Sequence, residues 1–149
     1  MQDLMSFVRR GALLDAGELG LTDASPLVKA ALHHADPDIR DAALEALGGV
    51  WNPTDFDAVW RIHRSDPSTI IRKKAAFVLR AHVDHSCWQE VFERWQADPL
   101  PRHRLWAIEL VEEFGTATDV PRIAHLTGDR DGHVRRAAER AGAFLLGRI

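Results

Sequence analysis

Residues 36–48 read DPDIRDAALEALG: an acid and a proline, an Ile-Arg pair, then an alanine-rich run with apolar residues at helical spacing. Nearly the same phrase returns as DPSTIIRKKAAFVLRA from residue 66, DPLPRHRLWAIELVEEFG from 98 and DRDGHVRRAAERAG from 129. Aligned on the arginine behind the first apolar residue, the copies place Arg40, Arg72, Arg104 and Arg135 at spacings of 32, 32 and 31. Three positions on stand Ala43, Ala75, Ala107 and Ala138, and six positions on stand Ala46, Val78, Leu110 and Ala141. One position before stand Ile39, Ile71, His103 and Val134, with the histidine as the polar exception. A fixed period with apolar matches at helical offsets marks an array of stacked repeats. Val8-Arg9 with Ala12 lies 31 residues further upstream and reads as a degenerate half repeat.

Each period holds two helices. Ser25-Pro26, Asn52-Pro53, Ser86 and Thr118 offer starts for the first helix of each pair. The apolar pairs of those helices are Val28 with Leu32, Val59 with Ile62, Val91 with Trp95 and Ile123 with Leu126. The second helices begin near Asp36, Asp66, Asp98 and Asp129 to Asp131, where a carboxylate suits exposed amides and the positive end of the helix dipole. Gly48-Gly49, Gly115 and Gly128 punctuate helix ends. The prediction is an all-α chain forming one domain over 1–149: a helix at 1–20, then repeats near 25–50, 52–83, 86–115 and 118–146. A lone hairpin of about 31 residues cannot offset its own ordering entropy with roughly six buried side chains, so neighbours must stack.

Composition bounds the function. Apolar residues make 46% and charged residues 28% of the 149, with a net charge of −3 and both signs interspersed. That pattern gives no basic field for a phosphate backbone, which argues against nucleic acid as partner. No apolar run approaches membrane-spanning length, and the first residues lack the apolar core of a secretory signal. Cys87 is the single cysteine, which excludes an internal disulfide and fits a reducing cytoplasm. Sixteen arginines against three lysines hint at a GC-rich bacterial genome.

The second-helix phrase, with its turn acid, Ile/Val-Arg pair and alanines, resembles the HEAT repeat. The short period is similar to the compact bacterial subclass found in phycobilin-lyase-like proteins. The resemblance covers about residues 25–146. It implies a right-handed α-α superhelix of the HEAT/armadillo kind, with four helix pairs plus the N-terminal helix. It also implies a ladder of turn acids and helix arginines drawn from Asp36/Arg40, Asp66/Arg72, Asp98/Arg104 and Asp129 or Asp131/Arg135. In such arrays the second helices line the inner wall, and the arrays serve as non-catalytic protein-binding scaffolds or adaptors.

With the arginine, its third and its sixth or seventh successors facing inward, the opposite stripe of each second helix is available to a partner. It reads Asp41 and Glu45, then Lys73, Phe77 and Arg80, then Leu105, Glu109 and Glu112, then Arg136 and Arg140. Such charges can neutralise one another, Glu45 near Lys73 for instance, or form a docking mosaic with Phe77, Leu105 and Trp106 as apolar anchors. The candidate partner-binding residues are therefore Lys73, Phe77, Arg80, Leu105, Trp106, Glu109, Glu112, Arg136 and Arg140, and the partner expected is another protein. Trp51, Trp60, Trp88 and Trp95 read as packing residues. Phe144, Leu145, Leu146 and Ile149 crowd the last helix, partly to cover the preceding repeat and partly as an edge through which a homo-oligomer can form.

Chemistry finds little support. His82, His85 and Cys87 in AHVDHSC are a weak candidate set of metal ligands without a clear fourth. Cys87 in the first turn of a helix, with His85 as base, suggests a lowered thiol pKa, but no third group completes a nucleophilic site. The remaining histidines share no spacing. The HEAT-like iron oxygenases carry His-Glu pairs, and here no histidine is followed by glutamate. No cofactor is expected. Two alternatives follow from resemblance: a lyase-like subunit acting on a bilin or its carrier protein, and, more remotely, a DNA-binding glycosylase of the alkylpurine class.

Overall fold

A computed structural model of the chain describes the backbone of residues 2–147 and the side chains of residues 9–147. Among these residues the regular structure is entirely helical. The N-terminal helix is α1 (Gln2–Glu18). Four pairs follow: α2 (Ser25–Ala31) with α3 (Pro37–Gly49), α4 (Phe56–Ser65) with α5 (Thr69–Ala81), α6 (Trp88–Trp95) with α7 (Pro101–Phe114), and α8 (Val120–Ile123) with α9 (Gly132–Leu146). The all-α repeat fold with four pairs and an N-terminal helix is thus the observed one. The helices gather into two compact units, Met1–His82 and Val83–Ile149. In the first, α3 packs on α1, α2 and α5, and α4 packs on α5. In the second, α7 packs on α6 and α9, and α8 lies on α9.

The core follows the repeat arithmetic. Ala43, Ala75, Ala107 and Ala138 are all buried, as are Ile39, Ile71, His103 and Val134 before the arginines. The eight apolar residues expected of the first helices are buried too. Of the sixth-position set, Val78 alone is only half-buried. His103 takes the position that is apolar in the other repeats without leaving a buried side-chain polar atom unmet. Its Nδ1 lies 3.0 Å from Asp98 Oδ1, and its ring stacks on Trp95 at 5.7 Å. Val8 and Ile149 lie outside the residues whose side chains are described.

Local chemistry at the helix starts departs from expectation. Ser25 and Ser86 are not caps. A 3-10 turn at Thr22–Ala24 precedes α2, and Cys87 stands at the start of α6 while Ser86 bonds Asp84. Asn52 caps as expected, whereas in the last repeat Thr116 takes the place expected of Thr118; both open capping boxes, closed by Asp55 and Asp119, that lead through a 3-10 turn into the first helix. Asp55 is 1% exposed and meets Lys29 Nζ of α2 at 3.2 Å, tying the first two repeats.

The turn before each second helix shows the ladder's true register. Asp66, Asp98 and Asp129 each accept the backbone N–H two residues on, from Ser68, Leu100 and Asp131. The arginine six residues after each acid donates Nη1 to that acid's own carbonyl. The carboxylates of Asp66 and Asp129, however, are gripped from the preceding repeat. Arg40 donates Nε and Nη2 to Asp66 at 2.8 and 3.1 Å, and Arg104 donates the same pair to Asp129 at 2.9 and 3.0 Å. Arginine and acid of one repeat are therefore joined through a backbone carbonyl, and the side-chain fork crosses to the next repeat. In the first repeat the residue six before Arg40 is His34, not Asp36. His34 Nδ1 accepts the Asp36 N–H, and Arg40 Nη1 donates to the His34 carbonyl. Arg9 lies 3.1 Å from His34 Nε2, completing a rung in which histidine stands for the acid. Because Nδ1 is the acceptor, Nε2 carries the proton and cannot accept from a guanidinium. The rung is occupied but not matched.

Gly48-Gly49 does not end a helix by loosening it. Both are helical, and a Cβ on Gly49 would lie 1.8 Å from the Gly17 carbonyl oxygen, so α1 and α3 cross at backbone distance. A Cβ on Gly48 would meet only His82 Cε1, at 3.7 Å.

Three predictions follow from this geometry. Gly49→Ala forces the α1–α3 crossing apart and costs about 1–3 kcal/mol in urea unfolding, whereas Gly48→Ala is neutral or stabilising by up to about 1 kcal/mol. Burial pushes the Asp129 carboxyl up, but the hydrogen bonds from Arg104 and the Asp131 amide and the charges of Arg104 and Arg130 outweigh it, leaving the group below its ordinary value. A carboxyl depressed by folding stabilises above its unfolded pKa, near 4, and loses that contribution as pH falls through the lower folded value. Asp129→Asn accordingly removes about 1.5–3 kcal/mol at pH 7 and flattens the loss of stability below about pH 4, read from urea melts at stepped pH. Finally, His34→Asp completes the first rung and raises stability by about 0.5–1 kcal/mol, a gain that disappears when Arg9 is also changed to Gln.

Candidate functional site

The stripe predicted to be available lies on the second helices, and each unit holds part of it. In the first unit Lys73 and Phe77 of α5 are exposed, Phe77 by 49%, with Arg80 half-buried a turn beyond. The cation answering the acids of α3 is Lys74, not Lys73. Its Nζ lies 3.0 Å from Asp41 and 3.3 Å from Glu45. Lys74 stands two positions after Arg72, on the side of α5 toward α3, so Lys73 is left on the outer stripe.

In the second unit four of the expected residues converge. Leu105, Glu109 and Glu112 of α7 and Arg140 of α9 line one open groove of about 440 Å³, whose floor and end are completed by Ile108, Ala137 and Phe144. Ala137 of α9 is the smallest of the lining residues, the others being large. Acidic groups sit along α7 and the guanidinium on α9, with apolar surface between. Arg136 is exposed one turn before Arg140, with Nη2 3.2 Å from His133 Nδ1. Trp106 is half-buried and does not line the groove. Its ring packs on Trp95 at 5.3 Å and on His103 at 5.4 Å.

Phe144 was legible only as part of the apolar end of the chain. It belongs to the stripe, because Arg136, Arg140 and Phe144 recur every four residues along one helix face. Of the residues crowding that end, Leu145 is fully buried, whereas Phe144 and Leu146 are 53% and 54% exposed.

The weak metal candidates are engaged elsewhere. His82 stacks on Trp51 at 4.4 Å and its Nδ1 lies 2.8 Å from the Val78 carbonyl oxygen. His85 sits edge-on to Phe114 at 5.0 Å. Cys87 Sγ lies 3.9 Å from the Asp84 carbonyl oxygen. Contrary to the expectation from its place at a helix start, the thiol is not activated. Burial pushes it up, and the carboxylates of Asp84 and Glu90 add to that. Asp84 itself is held below its ordinary value by the hydroxyl and amide of Ser86, so the nearest charge is a fixed anion that opposes a thiolate. No helix among the described residues is long and apolar enough to cross a membrane.

No curated protein matches the sequence. Residues 6–80, just over half of the chain, match the family described as HEAT repeats, which are commonly scaffolds for protein interactions. Paired helices, buried alanines at a fixed period and arginine rungs between consecutive turns are what that match leads one to find, and the chain belongs to the HEAT-repeat family.

Proposed function

We propose that the chain is a non-catalytic protein-binding scaffold or adaptor that engages its partner through the outer stripe of its second helices. The observation that carries this reading is the α7–α9 groove, where Leu105, Phe144 and Ile108 offer an apolar seat between Glu109 and Glu112 on one wall and Arg140 on the other. Interfaces concentrate affinity in a few central apolar and arginine anchors surrounded by polar residues, and the groove has that composition. Lys73, Phe77 and Arg80 give the first unit a comparable stripe, and Trp106 and Arg136 flank the second.

The catalytic alternatives receive less support. Lyase-type chemistry on a bilin or its carrier asks for a reactive nucleophile, and the single thiol is pushed away from ionisation. A grip on DNA asks for a contiguous basic track, whereas carboxylates interrupt the arginines along the groove.

The test is capture from an extract of the native host. Leu105→Asp and Phe144→Asp are expected to lose the captured protein, with affinity reduced about tenfold or more for an anchor worth about 1.4 kcal/mol or above, while helical content and melting stay near those of the parent. Phe77→Asp measures whether the first unit contributes. Undiminished capture by all three folded variants would rule the stripe out. A coloured adduct on co-expression with a bilin-carrying protein would replace the scaffold reading with the lyase one.

A further inference from the structure

The α7–α9 groove carries opposite charges on its two walls and apolar surface between them. Glu109 and Glu112 stand on α7 and Arg140 on α9, with Leu105, Ile108 and Phe144 among the residues that complete the lining. Among the described residues neither Glu112 nor Arg140 has an ion-pair or hydrogen-bond partner. The two charges therefore line one opening without cancelling each other. Arg136, exposed one turn before Arg140, extends the basic wall. Such a surface selects by sign. A uniformly acidic segment meets the carboxylates of α7, and a uniformly basic one meets Arg140 and Arg136, so like charges oppose each other in either case. Only a segment with a base on one flank and an acid on the other is attracted by both walls. The walls also repeat at helical steps. Leu105, Ile108 and Glu112 on α7, and Arg136, Arg140 and Phe144 on α9, follow one another at three or four residues. A docked helix offers its own side chains at that spacing.

We infer that the groove takes one amphipathic helix of a partner protein. Its apolar side enters between the walls, with a lysine or arginine toward Glu112 and an aspartate or glutamate toward Arg140. This rests on the scaffold reading and adds to it the sign pattern of the partner. A second copy of the chain is the poorer occupant. Its exposed Lys73 and Phe77, with Arg80 a turn beyond, bring bases but no acid to answer Arg140. The acids on its α3, Asp41 and Glu45, already answer Lys74. A nucleic acid is the poorer occupant too, since the carboxylates of α7 repel phosphates.

The probes are fluorescein-labelled, amidated helical peptides that share one leucine stripe. LKAELAALKAELAAL carries bases on one flank of the stripe and acids on the other, LKAKLAALKAKLAAL carries bases on both, and LEAELAALEAELAAL carries acids on both. Each is titrated with the full-length chain at low salt and followed by anisotropy. The mixed peptide is expected to bind saturably and about fivefold more tightly than either single-sign peptide, as suits exposed ion pairs exchanged for repulsion. Glu112→Lys should move the preference toward the acidic peptide and Arg140→Glu toward the basic one. Leu105→Asp should weaken all three alike, and melting curves check that each variant is folded. Equal affinity of the three peptides, or an order unmoved by both charge reversals, would overturn the sign pattern. If Leu105→Asp still abolished capture from the host extract, the scaffold reading would survive that result. Absence of saturable binding by the mixed peptide would overturn the helix as occupant. Self-association by sedimentation that Leu105→Asp abolishes would put a second copy in its place.

Discussion

The guanidinium shared between two consecutive turns is the constraint on which the rest of the fold depends. Each second-helix arginine closes its own turn through a backbone carbonyl and, where the next turn lies in the same unit, reaches 25 or 26 residues ahead to a carboxylate. That carboxylate is itself fixed by an amide of its own turn. One cation thus sets the position of two helix starts. It does so with four of the five donors of a side chain that never loses its proton, in a site 4% exposed at Arg104, where an uncompensated charge would be costly.

Energy and geometry are divided between different groups. The largest buried side chains, Trp95, Phe92, Leu44, Leu79, Ile108 and Leu145 among them, are under 2% exposed, and each stabilises by about 1.5–3 kcal/mol. Against that, a buried ion pair contributes little net stability, because desolvation cancels most of its attraction. The apolar layers hold the hairpins together without saying how far one slides along the next. The arginine fork does say so, since its two hydrogen bonds tolerate little displacement. The alanines finish the arrangement by letting the helices approach, and Gly17 with Gly49 carries this to backbone contact at the α1–α3 crossing.

What could be read from the sequence was what repeats. Helix count, pairing and buried positions follow from a period near 32 with apolar residues at helical offsets. The features that escaped are those set by space rather than by spacing. His34 was invisible as a ladder position because a Pro-containing turn with Asp36 imitates the acid of the other repeats two residues late. Lys74 was passed over for Lys73 because adjacent residues on a helix differ by 100° in direction, and only packing tells which side meets α3. Gly49 looks like a stop signal, yet its reason is the Gly17 carbonyl more than thirty residues away. Cys87 has the sequence setting of an activated thiol, but burial and two carboxylates reverse the outcome.

The same division of labour explains why the outer surface is harder to read than the fold. Positions that face the next repeat are pinned by the arginine fork and by alanine-sized clearances, so each copy writes them almost alike. Positions on the outer stripe are not held to one residue type by the turn geometry, and the copies differ there: Asp41 and Glu45, then Lys73 and Phe77, then Leu105 and Glu109, then Arg136 and Arg140. Divergence at solvent-facing offsets beside strict repetition at buried ones is what results when contacts between repeats, rather than the outer surface, set the fold. Glu112 and Arg140 vary for the same reason, since both line the open α7–α9 groove rather than an arginine rung.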